Sequence, residues 1–322
     1  MSAAPILEVR NLRTRFELHG GSLEVVRGVD LSLAPGEVLG LIGESGSGKT
    51  MTGLSILRLL PPNARVSSDM VRFGGQDLQS LSEADFEVLR GRRMAMIFQN
   101  PVGAFNPAKR VAWHLREIIR RRRGDTTGWA GAGGAALSEV GIPHPERVLR
   151  LYPHQLSGGM AQRILIAMVM ALEPDLVIAD EPTTNLDNIV ERQIVGLFRR
   201  LRGRLNASFL FITHDMALAK ILCDRIAVMY AGEIVEIGPT RALFAAPRHP
   251  YTQGLVATAM ALQGRAPRLK EISGELPNLA VPPPGCLFAP RCLQVLPRCR
   301  EAAPPAYGDA AHCVRCYLAE GT

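Results

Sequence analysis

At 322 residues, with 47% hydrophobic and 21% charged residues, the chain has room for one large globular domain with an appendage, or for two domains. The longest apolar run, Ile164 to Leu172, is too short to cross a bilayer, and Met1 to Glu8 lacks the basic region and apolar core of a secretory signal, so a soluble chain of cytosolic type is expected. The net charge of +7 is densest at Arg116 to Arg123, and without interleaved aromatics that run reads as a solvated helix face rather than a nucleic-acid contact.

Leu7 to Phe16 and Leu23 to Leu33 read as strands joined at Gly20-Gly21, a small β layer ahead of an apolar strand, Val38 to Ile42. The loop Gly43-Glu44-Ser45-Gly46-Ser47-Gly48-Lys49-Thr50 follows, then a helix expected from Met51 to Leu60 and stopped by Pro61-Pro62. Strand, glycine loop and helix, with the spacing G-x-x-x-x-G-K-[ST], are the setting of a phosphate-binding loop. The glycines let backbone N–H groups and the helix N-terminus close on phosphate oxygens. Lys49 would reach the β- and γ-phosphates, and the Thr50 hydroxyl would ligate Mg²⁺. A plain glycine turn is the alternative, but it leaves the Lys-Thr pair and both flanks unexplained.

Val71 to Phe73 with Gly74-Gly75 predicts a further hairpin, Leu81 to Arg90 a helix capped by Ser82, and Met94 to Phe98 a short strand. A helical insertion is expected over about 100–172. It contains a helix from Val111 to Arg123, a glycine-rich loop from Gly124 to Gly134, and short helical pieces at Leu137 to Val140 and Pro145 to Leu151. Strands at Leu176–Ala179, Phe209–Thr213 and Ile226–Met229 then alternate with helices at Ile189–Leu201 and Met216–Cys223, which implies a mostly parallel α/β sheet. Ala231-Gly232 and Gly238-Pro239 punctuate a final hairpin. From 241 to 322, prolines including Pro247, Pro250, Pro267 and Pro282-Pro283-Pro284 predict a loop-rich extension without long elements.

Two further stretches carry chemistry. Leu176 to Ala179 is an apolar strand ending in Asp180-Glu181, and such a strand delivers carboxylates to the sheet edge where α/β proteins bind ligands. Asp180 would hold Mg²⁺, and Glu181 would activate the water that attacks the γ-phosphate. Leu156-Ser157-Gly158-Gly159-Met160 opens a strong apolar helix; Ser157 is placed to cap it, and Gly158-Gly159 allow close backbone approach.

In this order and spacing the elements resemble the ATP-binding cassette (ABC) ATPases. The resemblance implies a P-loop ABC core of α/β class: a mostly parallel sheet with an antiparallel β subdomain and a helical subdomain. It assigns Gln99 to the loop that contacts Mg²⁺ or water and faces a membrane partner. His214 becomes the switch histidine near the γ-phosphate, Asp187 part of the loop at the dimer interface, and Phe16 the ring stacked on adenine. It also implies two cassettes packed head to tail with two ATPs between them. Each ATP is held by Lys49 and Thr50 of one subunit and by Ser157-Gly158-Gly159 of the other.

Ile97-Phe98-Gln99-Asn100-Pro101, Phe105-Asn106-Pro107, Arg248-His249-Pro250-Tyr251-Thr252 and Pro283 to Cys292 narrow the resemblance to ATPase subunits of oligopeptide/dipeptide importers, a group that includes nickel importers. It covers nearly the whole chain, as a cassette over 1–240 and a cysteine-bearing extension over 241–322. It implies a second, related but non-identical ATPase, two transmembrane permeases and an extracytoplasmic solute-binding protein. It also implies a place on the cytoplasmic face of the inner membrane, and no nucleic acid. Departures are Asn185 and Asn188, where small or apolar residues are common, and Ala161, where a basic residue is frequent.

Five of the six cysteines lie after residue 285. A reducing compartment favours metal or cluster ligation over disulfides there, and the spacing is wider than that of structural zinc sites. The resemblance implies a four-iron, four-sulfur cluster on Cys286, Cys292, Cys299 and Cys316, with Cys313 spare. Unligated thiols in a proline-stiffened tail are the alternative. A soluble ABC ATPase acting on DNA or ribosomes is the rival from another class. No sustained heptads and only one cassette appear here.

Overall fold

The computed structural model describes residues 4–184, 186–204, 207–262, 272–309 and 311–321. The chain forms two units, Met1–Gln79 with Phe211–Thr322, and Ser80–Leu210.

The first unit begins with an antiparallel hairpin, β1 (Leu7–Leu18) and β2 (Gly21–Leu33). Its turn is His19-Gly20, one residue earlier than the expected Gly20-Gly21, with Gly20 at φ 97° and Gly21 already paired with Leu18. In β1 the buried side chains switch phase, from Leu7 and Val9 to Leu12 and Thr14. The register shifts there, and Asn11 takes φ 49°, so a bulge re-aims the strand. Next come β3 (Val38–Ile42), buried throughout, and α1 (Lys49–Ile56). That helix ends short of the expected Leu60, because Arg58 turns to φ 50° and donates to the Leu78 carbonyl oxygen at 2.6 Å. β4 (Ala64–Ser67) and β5 (Met70–Phe73) both pair with β1, and β6 (Gln76–Asp77) pairs with β5. Gly74 and Gly75, both at positive φ, make that last turn the I′ type.

The second unit opens with α2 (Glu83–Leu89), where Ser82 Oγ accepts from the Asp85 N–H at 3.2 Å, the expected cap. β7 (Met94–Ile97) precedes α3 (Val111–Arg123), α4 (Trp129–Glu139), α5 (Pro145–Val148) and α6 (Gly158–Leu172). β8 (Leu176–Asp180) runs parallel to β7, and α7 (Asn188–Arg204) and β9 (Ser208–Thr213) follow. The glycine-rich loop expected through Gly134 is corrected: a helix starts at Trp129 and takes in Gly131, Gly133 and Gly134. At Gly133 an added Cβ would already touch Leu115 of α3 at 3.6 Å, so the small residues let two helices pack closely. The arginine run is a paired surface. Arg120 meets Glu117 at 2.6 Å, Arg121 meets Glu87 at 3.9 Å, and Arg122 pairs with Glu173.

The chain then returns to the first unit through α8 (Met216–Leu222), β10 (Arg225–Tyr230) and β11 (Glu233–Pro239). β10 lies parallel to β3 and antiparallel to β11. Beyond residue 240 the absence of long elements is also corrected. α9 (Thr240–Ala245) is followed by α10 (Pro250–Leu262), whose first residue is one of the supposed breakers; proline is tolerated in a first turn, where its missing N–H has no partner to lose. The remaining tail carries β12 (Tyr307–Gly308) and β13 (Cys313–Val314), and β13 pairs with β11. The extension is thereby joined to the sheet that carries β3.

Candidate functional site

In the first unit, the loop between β3 and α1 is fixed by close packing. A Cβ on Gly43 would lie 2.1 Å from the Met229 carbonyl oxygen, and one on Gly48 would lie 2.5 Å from that of Val25. Gly46 and Gly48 also sit at φ 81° and 103°, which only glycine adopts readily. Lys49 is 4% exposed, and its Nζ donates to the carbonyl oxygens of Gly43 at 2.9 Å and Glu44 at 2.8 Å. Ser47 Oγ is buried without a hydrogen-bond partner among the described residues. Thr50 lies on the first turn of α1, and Ser45 is exposed at the loop tip. A closely wrapped backbone, a buried ammonium and an orphaned hydroxyl suit a phosphate anion with its Mg²⁺.

His214 is exposed between β9 and α8, where Asp215 caps the helix by accepting from the N–H groups of Ala217 at 2.7 Å and Leu218 at 3.1 Å. Phe16 is half-buried on β1, opposite Leu23 and Ala64.

In the second unit, β8 delivers Asp180 to its C-terminal end at 3% exposure, and Glu181 follows at φ 43°. A non-glycine residue held in the left-handed region stores backbone strain of a kind that collects at functional sites. Glu181 Oε2 accepts from Thr184 Oγ1 at 2.8 Å and from Gln99 Nε2 at 3.2 Å, so this unit brings Gln99 and Glu181 together. Thr184 is a partner that sequence reading missed; its place in the turn after Glu181 was the available signal. Asp187 Oδ1 accepts from the N–H groups of Ile189 and Val190, both at 3.0 Å, and so caps α7. Ser157 Oγ caps α6 by accepting from the Met160 N–H at 3.3 Å, and Ser157 and Gly158 are exposed. At Gly159 a Cβ would meet Val190 at 2.9 Å. Asn185 lies outside the described residues, and of Asn188 only its place at the start of α7 is described.

The Arg248–Thr252 string has a local role. Glu236 on β11, fully buried, accepts from the N–H groups of Arg248 and His249, both at 2.9 Å, and from His312 Nε2 at 2.8 Å. Burial pulls the His249 imidazole down to about 3, so it stays neutral, and its Nδ1 accepts from the Tyr251 N–H at 3.0 Å. Tyr251 in turn brings its hydroxyl to the loop, where it accepts from the Glu44 N–H at 2.9 Å.

None of the tail cysteines forms a disulfide. Burial chiefly pushes the Cys286 thiol up to about 11, with the neighbouring Cys299 and Cys316 adding to it. Cys316 is raised by burial and then by Cys292 and Cys299, and Cys292 by burial and then by Cys299. Cys313 is also raised by burial, but it senses Arg315, Asp30 and Asp309 instead of other cysteines. Among the described residues no group of three or more His, Cys, Asp or Glu is placed to hold a metal ion. No helix among them is long and apolar enough to cross a membrane.

Comparison with known proteins agrees with these features. A model of the ABC transporter family matches residues 26–184, and one for the oligopeptide/dipeptide transporter C-terminal region matches residues 235–299. The chain is 42% identical over 316 residues to the dipeptide transport ATP-binding protein DppD of Bacillus subtilis, covering 97% of this chain and 94% of that protein. It is 40% identical to the oligopeptide transport ATP-binding protein OppD of the same organism, over 97% of this chain and 88% of that one. A dimeric bacterial ABC transporter cassette, MJ0796, shares the fold with a TM-score of 0.66 at 23% identity, over 73% of this chain and 99% of that one. The phosphate loop, the strand-borne carboxylates and the capped glycine helix thus sit in an ATPase, and the chain belongs to the ABC transporter family, in the branch that carries the oligopeptide/dipeptide transporter C-terminal region.

Proposed function

We propose that this chain couples ATP hydrolysis to the import of dipeptides or oligopeptides. The observation that carries the reading is the 42% identity to a dipeptide transport ATP-binding protein over 97% of the chain, tail included. A cassette over residues 1–240, with its helical part at about 100–172, drives the motor, and residues 241–322 form the extension. The subunit works at the cytoplasmic face of the membrane, held there by two permeases. A second, related but non-identical ATPase completes the pair, and an extracytoplasmic binding protein delivers the solute.

ATP binds at Gly43 to Thr50, with Lys49 on the β- and γ-phosphates. Thr50, Asp180 and Gln99 would hold Mg²⁺, which would supply charge neutralisation to the phosphates, and Phe16 would stack on adenine. Across the interface, this chain's Ser157, Gly158 and Gly159, with Asp187 alongside, present the positive N-terminus of α6 to the partner's ATP, and the partner's corresponding helix serves the ATP bound here. Glu181 takes the proton of the attacking water, and His214 holds the γ-phosphate. ATP therefore favours the closed pair, and hydrolysis withdraws that bias. Deleting this gene in its host should abolish uptake of a labelled dipeptide and leave ⁶³Ni uptake intact. Loss of nickel uptake alone would overturn the peptide reading.

For the tail we propose that Cys286, Cys292, Cys299 and Cys316 hold a [4Fe-4S] cluster. What supports the reading is the wide spacing of these cysteines in a tail whose matched oligopeptide/dipeptide transporter C-terminal region reaches Cys299. Such a cluster supplies a covalent staple to a segment too loop-rich to build its own core. Protein purified anaerobically should absorb near 400 nm and carry about four irons per chain, given four thiolate ligands. Iron-free protein with four reactive tail thiols would rule the cluster out.

A further inference from the structure

The phosphate-binding loop carries a negative charge of its own, Glu44, and the C-terminal extension is built around it. Arg291 Nη1 donates to Glu44 Oε2 at 2.9 Å, and Nη2 donates to Oε1 at 3.2 Å, a two-pronged fork. The other donors are also used. Nε donates to the Ser273 carbonyl oxygen at 3.0 Å, Nη2 to that of Ile272 at 3.0 Å, and Nη1 to the Tyr230 hydroxyl at 3.4 Å. A guanidinium has five N–H groups, and these are five partners. The Arg291 side chain is 5% exposed, while Glu44 keeps 30% exposure. Tyr230 packs at 4.8 Å from Tyr251, whose hydroxyl takes the Glu44 N–H. Leu276 of the tail lies 3.3 Å from where a Cβ on Gly46 would sit. Arg291 itself lies between Cys286 and Cys292 in sequence.

A carboxylate in a loop that must receive a polyphosphate repels its ligand unless something cancels its charge. We propose that Arg291 is a positioning residue for the nucleotide: by neutralising and fixing Glu44, it lets the C-terminal extension set the affinity of the phosphate-binding loop for ATP. This rests on the placement of the nucleotide at Gly43 to Thr50. The fork acts on ATP whether or not the reaction has begun, so it governs binding more than turnover. It also gives the extension a direct hold on the cassette: disorder around Arg291 frees a negative charge beside the incoming phosphates.

The test is equilibrium binding of a fluorescent ATP analogue to the full chain, with steady-state hydrolysis alongside. Arg291→Gln should raise the Kd and KM for ATP about tenfold, with kcat at saturation changed less than threefold, as expected for one unmasked charge in a partly solvated loop. Adding Glu44→Gln to that variant should restore most of the lost affinity, because the repelling charge is then gone. A brace without an electrostatic role gives the opposite result, since the second change removes one more anchor. Arg291→Lys keeps the charge and loses the fork; it should raise Kd about threefold, and it serves if Arg291→Gln is not recovered folded. Wild-type affinity in the Arg291 variants, or no rescue by Glu44→Gln, overturns the proposal. Lys49→Ala is the control for the site itself: wild-type binding there would refute the nucleotide placement, whereas its loss beside intact binding in Arg291→Gln refutes only the role of Arg291.

Discussion

Glu181→Gln is expected to lower steady-state ATP hydrolysis about 100- to 1,000-fold, the usual share of a positioned general base, while ATP binding survives. The substitution isolates the charge. Thr184 Oγ1 donates to Glu181 Oε2 at 2.8 Å, and a glutamine carbonyl oxygen accepts that bond as well. The backbone at φ 43° is strained equally for both side chains, so the fold should not register the change. What disappears is the ability to take a proton from water. With hydrolysis blocked and binding intact, ATP should hold this cassette and its partner ATPase in the closed pair, visible as an ATP-dependent dimer when the two are mixed and run on size exclusion. Turnover above one-tenth of the wild-type rate would remove Glu181 from the role of base.

Lys49→Ala should weaken ATP binding about 100- to 1,000-fold, because on the proposed placement of ATP it removes a cation beside the phosphates in a partly desolvated loop, where one such contact is worth roughly 4 kcal/mol. Lys49 is buried, and its Nζ donates to the Gly43 and Glu44 carbonyl oxygens. The ammonium is thus already in place before any ligand arrives, and little ordering is required on binding. The same two bonds brace the loop, so the variant should also lose about 1–2 kcal/mol of stability, measurable by denaturant unfolding. ATP binding within threefold of wild type would contradict the assignment of Lys49 to the phosphates.

These two positions stood out in the sequence because their signals are local. Lys49 stands at a fixed distance from Gly43 and Gly48 between an apolar strand and a helix, and Glu181 ends a run of five buried strand residues. Ser82 and Ser157 were recognised as caps for the same reason, since a cap and the N–H groups it accepts lie within one turn. Where local rules compete, the reading failed. Glycines at 131, 133 and 134 suggested a loop, but packing against Leu115 favours a helix of small residues. Pro250 suggested a break and instead starts α10, because a first-turn proline loses no hydrogen bond.

By itself, then, the sequence determined the glycine loop between β3 and α1, the alternation of strand and helix around it, the carboxylates at the end of β8 and the grouping of cysteines in the tail. Each of these is written in a spacing of a few residues. The tertiary structure alone decided that the tail closes on the loop. Arg291 and Glu44 lie 247 residues apart, Tyr251 and Glu44 207 apart, and His312 and Glu236 76 apart. Such pairs have no period and no fixed offset. An arginine between two cysteines looks like any other charged residue until folding buries it against a carboxylate that takes its charge. That carboxylate proves to be Glu44, inside the loop that identifies the protein as an ATPase.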